Sequence, residues 1–157
     1  MKAQFKTIIV PTDFSDTAEM ALHYALDLVQ DGGTVVVCHV IDDIPLTYGY
    51  VGMSFPIEDF RTKVSQDAKR ELEACIPAHD REVVVETQIL HGSPPTETVK
   101  LARERTVDLI VMGTHGRSGL QHALLGSVAE KVIRKAPCPV LVVREHGVGY
   151  SHEAGEA

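Results

Sequence analysis

The stretch that decides the fold is residues 107–119, VDLIVMGTHGRSG, where a run at 107–112 that is apolar apart from Asp108 leads directly into a glycine-containing loop. Three other short runs are equally apolar and rich in Val and Ile, and they lie at 7–10, 34–41 and 140–143. Strands that are continuously apolar rather than alternating are typical of a parallel sheet covered on both faces. A fifth run at 82–90, EVVVETQIL, is more polar and predicts an edge strand.

Patterns with helical spacing separate these runs, at residues 16–30, 57–75, 94–105 and 128–136. Ser15 or Asp16 can cap the first helix, and Gly32 with Gly33 is expected to end it. Strands that alternate with helices predict right-handed crossovers and a parallel sheet with helices on both faces. The sequence therefore predicts an α/β fold with a βαβαβαβαβ order.

The composition limits the class of protein. With 157 residues the chain is long enough for one domain, which we expect at 1–143, followed by a flexible tail at 144–157. A net charge of −7 with scattered basic residues argues against nucleic-acid or membrane binding. The three cysteines are widely spaced, and the N-terminal segment does not resemble a signal peptide. We therefore expect a cytoplasmic protein.

Polar and small residues follow the strands at their carboxyl ends, which is where open parallel sheets bind ligands. Pro11, Thr12 and Asp13 follow the first strand, and Asp42 follows the second. The connection from residue 42 to residue 56 contains two tyrosines, a methionine and a phenylalanine, so it is either a packed surface loop or a lid or dimer contact.

The segment after the fourth strand has the features of a phosphate loop. Gly113 and Gly116 allow a close backbone approach, and Gly126 with Ser127 offers free N–H groups at a helix N-terminus, where an anion is favoured. Arg117 adds a positive charge at the same rim. Structural explanations compete with this one. Gly113 can simply end a strand, and Ser127 can form a capping box with Glu130.

Three segments of the chain resemble the universal stress protein family: IIVPTDFSDTAEMAL at 8–22, CHVID at 38–42 and MGTHGRSGLQHALLGSVAEKVIRKAPCPVLVV at 112–143. The spacing of Gly113, Gly116, Gly126 and Ser127 is similar to that of the family's ATP-binding branch. The resemblance implies a single-domain three-layer α/β/α sandwich that is Rossmann-like. Its open five-stranded sheet would have the order 3-2-1-4-5.

The resemblance also implies a ligand, which is ATP, and Mg²⁺ held mainly by the phosphates can accompany it. Asp13 would approach the ribose or adenine region. The adenine pocket would be lined by Pro11, Thr12, Val40 and Met112. The ribose and phosphates would be surrounded by Gly113, Gly116, Arg117, Gly126, Ser127 and Val128. For Asp13, helix capping is an alternative role, and Val40 and Met112 can also be ordinary core residues.

The last strand, from Pro139 to Val143, contains no charged residue. At a sheet edge this strand would expose backbone N–H and C=O groups that can pair with another strand. We therefore expect a homodimer formed through it, as the resemblance also implies. Burial under the C-terminal tail is the alternative.

The chain lacks the GxxxxGK[ST], GxSxG and HExxH motifs, and we expect no protein metal site. We accordingly expect an ATP-dependent stress-response regulator that acts on an unknown partner protein. A slow ATPase or nucleotidyl-transfer enzyme using His115 or Asp13, and a dimeric scaffold that binds no nucleotide, remain as alternatives.

Overall fold

The computed structural model describes residues 5–42, 57–114 and 125–144. Strands and helices alternate along these ranges in the predicted order. The strands are β1 (Phe5–Pro11), β2 (Val29–Ile41), β3 (Val84–His91), β4 (Leu109–Gly113) and β5 (Val140–Val143). The helices are α1 (Asp16–Leu28), α2 (Ile57–Ala74), α3 (Pro94–Glu104) and α4 (Ser127–Lys135).

The strands form one parallel sheet with the order β3-β2-β1-β4-β5, which confirms the predicted topology. The polar run in the middle of the chain, β3, lies at one edge as predicted, and β5 lies at the other. After β3 the chain crosses over β2 and β1 to reach β4, so the order of strands reverses beside β1. This reversal is the position at which open α/β sheets leave a crevice at their carboxyl end.

Apolar side chains cover both faces of the sheet, which explains why polar and apolar residues do not alternate along the central strands. Ile8 and Val10 of β1 pack with α1 on one face, where Leu72 of α2 also lies. Ile9 of β1 points to the opposite face and packs with residues of α3 and α4, including Val132. The predicted three-layer arrangement is thus confirmed, with two helices on each face.

The expectation that Gly32 and Gly33 end the first helix was wrong. The helix ends at Leu28, and β2 begins at Val29, which pairs with Phe5 of β1. The two glycines lie inside an irregular part of this pairing. Gly32 has a φ of +73°, and a Cβ on Gly33 would lie 2.8 Å from the carbonyl oxygen of Lys6. The glycines therefore allow a bulge in β2 rather than the end of α1.

Arg81, distant in sequence, satisfies the carbonyl groups at the end of α1. Its guanidinium donates to the carbonyl oxygens of Leu26 at 2.9 Å and Val29 at 3.1 Å, and it pairs with the Asp31 carboxylate at 2.6 Å. The last turn of α1 has no basic residue of its own. The positive charge that favours a helix C-terminus is therefore supplied by a tertiary contact.

Several predictions concern residues outside the described ranges. They are the connection at 43–56, residues His115, Gly116 and Arg117, and the tail at 145–157. The division into a domain at 1–143 and a flexible tail stays a prediction. Among the helices that the structure describes, none has the length and apolar character needed to cross a membrane.

Candidate functional site

A cavity of about 470 Å³ lies at the carboxyl end of the sheet, beside the reversal in strand order. The pairing between β1 and β4 extends over Ile8 with Leu109 and Ile9 with Ile110. Pro11 and Met112, which lie beyond these pairs on the two strands, line the cavity. The crevice thus opens where these two strands cease to pair, on the face of the sheet that carries α3 and α4.

Every predicted site residue within the described ranges lies on the wall of this cavity. These residues are Pro11, Thr12, Asp13, Val40, Met112, Gly113, Gly126, Ser127 and Val128. They come from β1, β2, β4 and α4 and the loops beside them, so the fold brings together positions more than 100 residues apart. Gly116 and Arg117, the other two predicted residues, lie outside the described ranges.

Sequence reasoning missed a second group of residues on the cavity wall. It consists of Ser15, Ala18, Cys38, His39, Pro94, Thr98, Thr114, Leu125, Ala129 and Glu130. The available signal was the stretch GSPP at 92–95, which follows the carboxyl end of β3 and opens α3. Its position after a strand is the same as that of the motifs after β1 and β4. His39, within the stretch CHVID at 38–42, also belongs to the cavity wall.

The loop between β1 and α1 orients Asp13. Ser15 is the N-cap of α1, and its hydroxyl accepts from the amide nitrogen of Ala18 at 3.4 Å. The Asp13 carboxylate accepts from the amide nitrogen of Ser15 at 3.1 Å and from its hydroxyl at 2.5 Å. Asp13 therefore supports the cap without being the cap, and it still faces the cavity. The capping alternative for Asp13 is correct only in this indirect form.

Gly113 is required by packing within the protein. A Cβ at this position would lie 2.6 Å from Oγ1 and 2.9 Å from Cβ of Thr17 in the first turn of α1. Distances below 3.0 Å cannot be accommodated without movement of the backbone or the neighbour. The lack of a side chain at 113 thus has a structural cause, and the expectation that this glycine serves a phosphate loses its main argument.

The N-terminus of α4 presents to the cavity backbone donors that the helix itself does not pair. Gly126 is the N-cap, with φ −71° and ψ 155°, and the first intrahelical bond runs from the amide nitrogen of Glu130 to the Gly126 carbonyl oxygen. The N–H groups of Ser127, Val128 and Ala129 therefore have no acceptor within the helix. Because the helix dipole adds to them, this end of the cavity favours an anion.

The capping-box alternative for Ser127 was wrong. Ser127 is the first helical residue rather than the N-cap, so its side chain is not in the capping position. The Glu130 carboxylate instead pairs with Arg134 one turn along the helix at 2.9 Å. The glycine before Ser127, not a capping hydroxyl, marks the start of α4.

The charges on the described part of the cavity wall are negative. Asp13 and Glu130 line it, and no Lys or Arg does so among the residues that the structure describes. Nor do three His, Cys, Asp or Glu side chains within these ranges form a group that could hold a metal ion. Attraction for an anion therefore comes from backbone N–H groups on this part of the wall.

Two further side chains on the wall are fully buried. Burial raises the pKa of the Cys38 thiol to about 12, so this cysteine is protonated at neutral pH and is a poor nucleophile. Thr114 is 2% exposed, and its hydroxyl has no hydrogen-bond partner among the described residues. The Thr114 amide nitrogen donates to the Val143 carbonyl oxygen at 2.9 Å, which joins the cavity wall to β5.

Comparison with known proteins gives a consistent match. Residues 4–144 match the model of the Universal stress protein family. Universal stress protein MJ0577 of Methanocaldococcus jannaschii is 37% identical over an alignment that covers 92% of this chain and 98% of that protein. The solved structure of hypothetical protein MJ0577 matches with a TM-score of 0.77 at 34% identity, covering 92% of this chain and 99% of that one.

Two solved structures with lower identity share the fold. One is a universal stress protein in complex with cAMP, with a TM-score of 0.55 at 23% identity, covering 90% of this chain and 98% of that one. The other is a universal stress protein family protein from Arabidopsis thaliana with AMP bound, with a TM-score of 0.52 at 17% identity, covering 94% and 97%.

Proposed function

Because this chain belongs to the universal stress protein family, we propose that it binds ATP in the cavity and acts as a nucleotide-dependent regulator of a stress response. One observation carries the proposal: backbone donors at the N-terminus of α4 and an apolar wall formed by β1, β2 and β4 border the same cavity. A nucleotide links an anionic group to a flat apolar group. The anionic group matches the backbone donors, and the flat group matches the apolar wall.

The nucleobase is assigned to the apolar part of the wall. Pro11, Val40 and Met112 provide this surface, and Thr12 lies beside them. Asp13 is assigned to the ribose, since a carboxylate accepts hydrogen bonds from hydroxyl groups and is best kept away from phosphates. The proposed roles of Val40 and Met112 are compatible with their positions near the ends of β2 and β4.

The phosphates are assigned to the N-terminus of α4. Gly126, Ser127 and Val128 lie there, and Gly113 lies on the same wall. Gly116 and Arg117 would complete this end. Because Asp13 and Glu130 add negative charge, Mg²⁺ held mainly by the phosphates would reduce the repulsion between the ligand and the wall. The structures with cAMP and AMP indicate that this fold accepts adenine nucleotides, which supports the class of ligand.

We further propose that the protein is a cytoplasmic homodimer that presents a nucleotide-dependent surface to a partner protein. The edge position of β5 supports dimerisation, because Leu141 at its centre is 37% exposed and the strand carries no charge to prevent pairing. Three free cysteines support a reducing compartment. ATP binding would shift the population of conformations that the partner recognises.

Titration calorimetry with ATP and Mg²⁺ tests the nucleotide proposal. Because Gly126 has backbone angles that any residue adopts, Gly126→Val adds bulk to the cavity without straining the chain. We expect saturable binding to the wild type, weaker binding to Gly126→Ala and still weaker binding to Gly126→Val. Thermal unfolding without ligand verifies that the variants are folded. Equal affinity in all three proteins, or no binding to the wild type at millimolar ATP, contradicts the proposal.

A further inference from the structure

We propose that His39 is a positioning residue of the nucleoside end of the cavity, where it fixes the turn formed by residues 12–14. This inference rests on the proposed function, because the turn carries Thr12 and Asp13. His39 lies near the end of β2 and on the cavity wall. It was not among the predicted site residues.

The ring of His39 forms a directed hydrogen bond to the turn. Its Nδ1 lies 2.8 Å from the carbonyl oxygen of Thr12. A carbonyl oxygen only accepts, so Nδ1 carries the hydrogen and donates. In neutral His39 the other ring nitrogen, Nε2, is therefore the unprotonated one.

Thr12 is held by two consecutive residues of β2. Its amide nitrogen donates to the carbonyl oxygen of Cys38 at 2.8 Å, and its carbonyl oxygen accepts from His39. The Cys38 contact is made by the backbone and is available to any residue type. The His39 contact needs a donor on a side chain of suitable length. The residue type at position 39 thus decides whether the carbonyl oxygen of Thr12 is held by a hydrogen bond in addition to its amide nitrogen.

The next part of the turn is held by ring packing. Phe14 has a φ of +64°, a conformation that bulky residues rarely adopt and that persists only when the surroundings enforce it. Its ring lies 4.5 Å from the His39 ring, centroid to centroid, with a tilt of 34°. His39 consequently contacts both residues that flank Asp13, one by a hydrogen bond and one by its ring face.

Three substitutions separate these contacts. His39→Phe keeps a ring against Phe14 and removes the donor, whereas His39→Asn places an amide N–H near the Nδ1 position and removes the ring. His39→Ala removes both. Affinities for adenosine, ADP and ATP are measured for each variant by calorimetry, and thermal unfolding without ligand controls for folding.

If His39 positions the nucleoside end, His39→Phe weakens adenosine, ADP and ATP binding by the same factor, about fivefold, the value of one neutral hydrogen bond. His39→Asn is expected to retain more affinity than His39→Ala. If His39→Phe and His39→Ala bind adenosine as tightly as the wild type does, the inference is overturned, whereas the proposed function remains intact. A wild type that binds none of the three ligands contradicts the proposed function instead.

A measurement without nucleotide tests the same geometry. When the His39 ring is in its neutral form, its nitrogen chemical shifts should report hydrogen on Nδ1 and none on Nε2. The opposite tautomer would mean that the bond to Thr12 is absent, which overturns the inference whatever the ligand data show.

Discussion

The amide nitrogen of Gly126 donates to the carbonyl oxygen of Thr114 across 2.7 Å, which ties the start of α4 to the end of β4. Thr114 in turn contacts β5 through its own amide nitrogen. This link sets the direction in which α4 begins. The donors of its first turn therefore border the cavity, and the N-cap glycine does not offer its own N–H to a ligand.

Ser127→Pro tests the backbone donors of α4. Proline is tolerated at the first helical position, and the backbone angles of Gly126 are those that a residue before proline prefers. The change removes one N–H and leaves the helix intact. We expect ATP affinity to fall about tenfold or more, as for a hydrogen bond to a charged group, with adenosine affinity unchanged. Calorimetry with both ligands measures the difference.

Ser127→Ala is the matched control, because it removes the hydroxyl and keeps the N–H. It should bind ATP more tightly than Ser127→Pro. If the two variants bind ATP equally, the Ser127 N–H does not contact the ligand. In that case either the Ser127 hydroxyl contacts the ligand or neither group does.

Gly113→Ala is expected to lower the free energy of unfolding by about 1–3 kcal/mol, the usual cost of overpacking. The reason is the close approach of Thr17, whose Oγ1 would lie 2.6 Å from the new Cβ. Urea denaturation measures the loss. In a Thr17→Ala background the same change should cost less, because the nearest atom is gone. An equal cost in both backgrounds would show that the Thr17 hydroxyl does not restrict residue 113.

Leu141→Lys is expected to convert the proposed homodimer to a monomer in analytical ultracentrifugation. A charge in the middle of an exposed edge strand opposes pairing with a second copy. Val84→Lys is the matched control, since Val84 is 53% exposed on β3 at the opposite edge. A monomeric wild type, or a dimer in both variants, argues against an interface at β5.

Cys38 predicts a pH dependence of stability. Its folded pKa is about 12, above the ordinary value of 9.0 that applies to the unfolded chain. Below pH 9 both states keep the proton, so the thiol makes no pH-dependent contribution. Between pH 9 and 12 only the unfolded state loses it, and the free energy of unfolding falls by about 1.4 kcal/mol per pH unit.

The comparison that isolates this effect is the wild type against Cys38→Ala. The difference in their free energies of unfolding, from urea titrations, should be constant up to about pH 8 and change in favour of the variant above pH 9. The other two cysteines are present in both proteins and cancel. A difference that stays constant to pH 10.5 would mean that the folded thiol is not protected from ionisation.

Most of the architecture was predictable because its signals are local. The runs at β1, β2, β4 and β5 are mostly apolar, and α1 and α3 begin at a recognisable cap or proline. Boundaries were less accurate where a distant residue decides them. The end of α1 depends on Arg81 and on pairing with Phe5, and neither contact is visible in the sequence around Leu28.

The residues that line the candidate site were likewise predicted only in part. Residues that directly follow a strand, such as Thr12, were expected at the cavity because every parallel strand ends at the same edge of the sheet, and Thr12 lines it. His39 was missed because its contacts with Thr12 and Phe14 arise only when β1 and β2 are paired. The packing reason for glycine at 113 was not visible in the sequence because Thr17 approaches it from another element.

The sequence by itself determined the succession of strands and helices, the two-faced burial of the sheet and the edge at which a ligand can bind, since these follow from hydrophobic period and from the direction of parallel strands. Only the tertiary structure decided what each wall residue does. Which side chains meet, which carbonyls Arg81 satisfies and why Gly113 has no room for a Cβ all depend on atoms that are distant along the chain and close in space.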